Sequence, residues 1–194
     1  MRLKDDEKRA RILEHAAPLF AAKYFHEVTL DEVAERAAVG KGTIYTYFRD
    51  KEGLYEAVVA DLIVRLFAEF RAAAEATAEP RLRLRGMVQR CLAFLRAHPH
   101  AMPLFQREEV REHAATPAQR GVFDRWRGDY IGGVSAVIQS AVRGGEFRVG
   151  HPDLAAALFL GMIRAAHLHP PPGFTVETLA DAVTDLFLNG VAAR

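Results

Sequence analysis

The chain has 194 residues, half of them hydrophobic, so one domain or two small ones with a proper apolar core are expected. Formal net charge is +1, and the first fifty residues carry nine Lys or Arg against nine Asp or Glu, so overall charge does not advertise a nucleic-acid partner and any such contact must come from a local patch. Cys91 is the only cysteine, which excludes an internal disulfide and suits a reducing cytoplasm.

The N-terminal residues lack the apolar run of a signal peptide. The longest strongly apolar run, 154–163, is too short to span a bilayer, so a cytoplasmic protein with no membrane partner is expected. Hydrophobic periodicity is helical nearly everywhere and no convincing period-2 strand is present, which predicts an all-α fold. A first helix is predicted over about 5–24, with Ile12, Ala16, Leu19 and Phe20 on one face and a kink at Pro18. Thr29 reads as the N-cap of a short helix ending at Ala37 or Ala38, with Asp31 and Glu32 in the dipole-favoured first turn. Gly40 stands at a turn, and a second short helix is predicted from near Gly42 to about Phe48. A long helix then opens at Lys51 or Glu52, carries Leu54, Val58, Leu62, Leu66 and Phe70 in a stripe, and stops near Ala78, before Pro80. At the standard rise it is roughly 40 Å long, enough to join two modules rigidly. Five more helices are predicted over 81–97, about 101–113, 117–143, 152–167 and 175–191, with Gly144 as the left-handed cap of the third.

The stretch "VGKGTIYTYF" (39–48) is rich in groups that bind phosphate. It is not a P-loop: Glu35 stands where glycine is needed, Gly42 where Ser or Thr is needed, and a helix precedes it instead of a strand. A Rossmann fingerprint fails for want of the strand and the glycine pattern. Two short helices joined by a tight turn instead form a helix-turn-helix whose second member can enter a major groove. Lys41, Gly42, Thr43 and Thr46 lie at its N-terminal end, and Gly42 lets the backbone approach DNA closely. Tyr45 and Tyr47 can donate to flanking phosphates, the amides at Thr29 suit another, and Lys51 can reach one by charge.

The run 11–59 resembles the DNA-binding region of the tetracycline-repressor (TetR) family, through "LF" at 19–20, "TLDEVAERAAVGKGTIYTYF" at 29–48 and "KEGLYEAV" at 51–58. The resemblance implies backbone contacts from Thr43, Tyr45, Tyr47 and Lys51, and a groove face of Lys41, Gly42 and Thr46. Tyr24 stands where the family usually has glycine, and Thr46 is smaller than in many members. Domains are expected at 1–51, for DNA binding, and at 52–194, a helical domain that the resemblance implies dimerises and binds a small effector, largely apolar. Phe67, Phe70, Phe94, Phe105, Trp126 and Tyr130 either line that cavity or fill a core, Trp126 and Tyr130 standing out because their polar tips need partners. Gln106, Arg107 and Glu108 either supply polar specificity to that cavity or, the reading preferred here, lie at the surface. Leu154, Leu158, Gly161 and Met162, then Leu179, Val183, Leu186 and Phe187, either meet a symmetry mate in a four-helix bundle or pack within the chain. Gly190 would permit close approach there. The histidines show no metal-ligand spacing, and no catalytic motif is recognisable, so no metal, cofactor or enzymatic activity is expected. The sequence thus reads as a ligand-responsive DNA-binding regulator, a repressor on a pseudo-palindromic operator. The rival reading is a helical ligand-binding protein or enzyme that retains a helix-turn-helix-like module.

Overall fold

The computed structural model describes residues 2–114 and 122–191, with side chains described over 5–108 and 127–189. Among the described residues it is all-helical: α1 (Arg2–Ala22), a 3-10 turn (Phe25–Glu27), α2 (Leu30–Arg36), α3 (Lys41–Tyr47), α4 (Lys51–Glu75), α5 (Pro80–Ala97), α6 (Ala101–Ala114), α7 (Val122–Arg143), α8 (Pro152–Leu168) and α9 (Val176–Val191). The expected helix start at Pro117 lies outside the described residues. Packing divides the chain into two units, 1–64 with 98–123 and 65–97 with 124–194. The sequence reading expects a division at residue 51. The packing division instead falls inside α4, whose Leu54, Tyr55 and Val58 are buried in its first half.

In the first unit α1 buries Ile12, Leu13, Ala16, Ala17, Leu19 and Phe20, spaced for one helical face, and packs on α2 and α6. It ends at Ala22, earlier than predicted, because Tyr24 is extended and the 3-10 turn follows, with the Tyr24 amide donating to Glu27 Oε2 at 2.9 Å. Its last carbonyls are satisfied from far along the chain. The Arg107 guanidinium on α6 donates to the carbonyls of Phe20, Ala21 (3.0 Å) and Lys23 (2.9 Å). A cation at this helix end is also favoured by the macrodipole.

Thr29 caps α2 as expected, its Oγ1 accepting from the Glu32 amide at 3.2 Å. The turn after α2 is a Schellman motif: the Ala38 amide donates to the Glu35 carbonyl (3.1 Å) and the Val39 amide to that of Ala34 (3.0 Å). The left-handed residue is therefore Ala38, at φ +50°. Gly40 is extended, at φ −70°, and caps the start of α3 with its carbonyl.

In the second unit α5 packs on α9 and α8, and α8 on α9. Leu84, Met87, Val88, Cys91, Leu92 and Leu95 of α5 are buried, as are Leu179, Ala180, Val183, Phe187 and Leu188 of α9. Exposed ion pairs flank this seam, Arg85 to Asp181 at 2.5 Å and Arg81 to Asp185. The left-handed glycine after α7 is Gly145, at φ +78°, not Gly144, because α7 runs to Arg143 and the Gly144 amide still bonds back to the Ser140 carbonyl at 3.0 Å.

Candidate nucleic-acid interface

α3 is anchored by Ile44 and by Phe48 just beyond it, both buried, and this sets which side chains face outward. Lys41, Gly42, Tyr45 and Thr46 are exposed, while Thr43 and Tyr47 are half-buried at its edges. Nothing in the chain lies within 4 Å of a Cβ placed on Gly42, so no internal contact demands glycine there. The bare backbone at this point suits the close approach of an external partner. Thr46 donates its hydroxyl to the Gly42 carbonyl at 3.1 Å, which leaves its oxygen lone pairs and methyl group to face outward.

Carboxylates hold two of the outward donors. Lys41 Nζ lies 2.8 Å from Asp31 Oδ2, with both side chains more than half exposed. That hydrogen bond raises the Lys41 pKa, and the Asp31 charge adds to it. The Tyr47 hydroxyl donates to Asp5 Oδ1 at 3.1 Å, and desolvation first, then this bond, raises its pKa. Both groups therefore stay protonated donors at neutral pH. Thr29, at the exposed start of α2, keeps its amides near the same motif.

The ammonium of Lys51, expected to reach a phosphate, lies within the chain beside three carbonyls, those of Phe25 (2.8 Å), Val28 (2.9 Å) and His26 (3.4 Å), and 4.6 Å from the centroid of the Phe25 ring. An ammonium has three protons, so this seat uses all of them. The sequence reading did not single out Arg49, which directly follows the motif and has a side chain 95% exposed, with its Nε 3.6 Å from Oδ2 of the adjacent Asp50. Its position beside the short helix was the available signal, obscured by an acidic neighbour.

The residues expected from the sequence to line an effector cavity do not form one set. Phe70, Phe94 and Tyr130 are buried in the second unit and Phe67 is half-buried there, whereas Phe105 is on α6 in the first. The side chain of Trp126 lies outside the described residues. Tyr130 is edge-on to Phe70 at 4.4 Å, and its hydroxyl is 3.7 Å from Cys91 Sγ, the polar partner that its tip required. Burial pushes the Cys91 thiol up to about 12, so it is an unreactive core group. Gln106, Arg107 and Glu108 are not uniformly surface groups, since Glu108 is only 8% exposed.

The residues expected from the sequence at a dimer interface separate by face. Leu154, Leu158, Gly161 and Leu186 are exposed and Met162 is half-exposed. Leu179, Val183 and Phe187 are buried within their own chain, with Phe187 4.8 Å from Phe159, so they are core residues and not part of an open interface. The side of Gly190 lies outside the described residues. Among the described residues no helix is long and apolar enough to cross a membrane, and no group of His, Cys, Asp or Glu could hold a metal ion.

Comparison with known proteins agrees with this architecture. Residues 12–58 match the family described as bacterial regulatory proteins, tetR family, and residues 77–191 match the tetracyclin repressor-like C-terminal domain. The chain is 27% identical over 197 residues to the uncharacterized HTH-type transcriptional regulator YhgD of Bacillus subtilis, covering 97% of this chain and 98% of that protein. It is 28% identical over 159 residues to the HTH-type transcriptional repressor KstR2 of Mycobacterium tuberculosis, covering 82% and 77%. The solved structure of that KstR2 superposes with a TM-score of 0.75 at 22% identity, covering 96% and 95%. AibR in complex with isovaleryl coenzyme A and operator DNA gives 0.74 at 22% identity, covering 92% and 97%. With a helix-turn-helix presenting an open outer face and both of its modules matched, the chain belongs to the TetR family of bacterial regulatory proteins and is a DNA-binding transcriptional regulator.

Proposed function

We propose that the protein is a cytoplasmic repressor that binds a pseudo-palindromic operator as a homodimer and is released by a small, largely apolar effector. It acts by binding and not by turnover. The observation that carries this reading is the outer face of α3, where Lys41, Gly42, Tyr45 and Thr46 stand exposed with no internal reason for the glycine. Lys41, Gly42 and Thr46 face the bases, and Thr43, Tyr45, Tyr47 and the amides at Thr29 position the backbone. Arg49 adds a phosphate contact. On this reading Asp31 and Asp5 give up their partners when DNA phosphates arrive.

Dimerisation is supported by Leu154, Leu158 and Leu186, which are 57%, 60% and 69% exposed, an apolar face that a solitary chain would leave wet. Two-fold symmetry then matches half-sites roughly 34 Å apart. The aromatic group of Phe67, Phe70, Phe94 and Tyr130 marks where the effector is held. Acyl thioesters of coenzyme A are the first class to test, with the apolar acyl group as the part the aromatic residues would hold, because the similar regulator AibR was captured with isovaleryl coenzyme A. Effector and operator would favour different states of the same dimer, with a coupling of ~1–3 kcal/mol.

The test is a selection of genomic fragments by the purified protein, repeated with isovaleryl coenzyme A and longer acyl thioesters. Recovery of an inverted repeat, lost on addition of one of these, is expected. Ligand binding or turnover with no sequence-selective DNA retention would favour the rival carrier or enzyme.

A further inference from the structure

The link between α1 and α2, residues 23–29, joins the helix-turn-helix to the first helix. Apolar packing gives it little hold: Val28 is buried, whereas Tyr24, Phe25, His26 and Glu27 are exposed. Cations from elsewhere in the first unit hold it instead. Lys51 of α4 takes the carbonyls of Phe25, His26 and Val28. Arg107 of α6 takes those at the end of α1 and the start of the link, and its two terminal nitrogens divide them. Nη1 donates to Phe20 and, at 2.9 Å, to Lys23, while Nη2 donates to Ala21 at 3.0 Å. An ammonium keeps all its donors on one nitrogen and cannot stand in both places.

Lys23 ties this grip to α2. Its carbonyl accepts from Arg107, and its ammonium lies 2.8 Å from both carboxylate oxygens of Glu32, in the first turn of α2. The Glu32 side chain is 24% exposed, so this pair is less screened than an open surface pair. Glu32 also accepts from Arg36 one turn on, at 3.4 Å, and its amide is the one capped by Thr29. A continuous set of polar contacts therefore runs from α6 through Lys23 into α2, on which α3 packs.

We infer that Arg107 is a positioning residue for sequence recognition: from α6 it fixes the start of the α1–α2 link, and through Lys23 and Glu32 it sets the angle at which α2 and α3 meet the groove. It acts through those residues and not by touching DNA. Reading base edges demands that α3 be held to within about 0.5 Å, whereas attraction to phosphates tolerates more slack. Loss of the Arg107 grip therefore lowers selectivity and spares non-specific affinity.

The experiment is a selection by the full chain from random duplexes long enough for two half-sites. The duplex most enriched by the parent chain becomes the specific probe, and poly(dI-dC) reports non-specific affinity. Arg107→Met removes the grip, and Arg107→Lys keeps the charge at the end of α1 without the two-nitrogen fork. Both are expected to bind the enriched duplex about three- to tenfold more weakly, with poly(dI-dC) affinity and salt slope unchanged. Binding is measured where the variants keep the helical circular dichroism of the parent, so global unfolding does not enter. Lys23→Met, which keeps the carbonyl and loses the Glu32 pair, is expected to lower selectivity in the same way, and the double variant with Arg107→Met to lose no more than the larger single loss. The inference is overturned if either Arg107 variant keeps the parent ratio of specific to non-specific affinity, if both affinities fall together, if the salt slope falls, or if the losses at 107 and 23 add. A parent chain that enriches no sequence overturns it together with the reading of α3 as the base-facing helix, on which it rests.

Discussion

The ammonium of Lys51 shows how a side chain suited to one partner can be committed to another. Lysine opening a helix beside a helix-turn-helix invites a phosphate assignment, and spacing alone supports it. What spacing does not reveal is that the 3-10 turn places the carbonyls of Phe25, His26 and Val28 around the same ammonium. Lys51→Ala is therefore expected to lower the melting temperature, with a loss of ~1–3 kcal/mol, and to leave the salt dependence of operator binding unchanged. A lower salt slope with unaltered stability would restore the phosphate role. Ala38 makes a complementary case. It occupies a left-handed position, at φ +50°, that glycine adopts more readily, so Ala38→Gly is expected to stabilise the chain by roughly 0.5–1 kcal/mol in thermal denaturation. No strain is stored there if the melting temperature stays constant or falls. The sequence pointed to Gly40 as the turn residue because glycine is the usual choice, and only the backbone shows alanine doing that work.

At the scale of elements, the helix-turn-helix was legible almost residue by residue. Thr29 as cap, Ile44 and Phe48 as anchors and Lys41, Gly42, Tyr45 and Thr46 as the outer face all follow from a short periodic pattern with clear punctuation. The last two helices were less legible. Their apolar residues cover more than one face, so periodicity could not say which face met the same chain and which remained open. The structure divides them, with Leu179, Val183 and Phe187 inside and Leu154, Leu158 and Leu186 outside. A charge at Leu158 or Leu186 should therefore leave the fold intact and weaken self-association. Leu158→Glu is expected to shift the protein to monomer in sedimentation at micromolar concentration, with its helical circular dichroism retained. A Phe187→Ala chain should instead lose ~3–5 kcal/mol of stability, as cavity formation in a core does. A variant Leu158→Glu that still sediments as a dimer would place the interface elsewhere.

At the scale of the molecule, DNA binding without a net basic charge requires that a few well-placed groups act locally. The nine basic and nine acidic residues among the first fifty cancel, and Asp31 and Asp5 sit directly on two of the donors. Operator affinity should accordingly depend on salt through a handful of phosphates. Arg49→Ala is expected to lower the slope of log K against log salt by about 1, equally on operator and on unrelated DNA. An unchanged slope would remove Arg49 from the contact set. The guanidinium of Arg107 has a different consequence, for the order in which the protein is made. Its partners at the end of α1 and just beyond it precede it by 84 to 87 residues, so at ~5–20 residues per second α1 leaves the ribosome several seconds before its last carbonyls can be covered. The first unit is thus completed only after Arg107 has itself emerged. A fragment stopping at residue 64 would carry every base-facing side chain and still lack the piece that closes the end of its first helix.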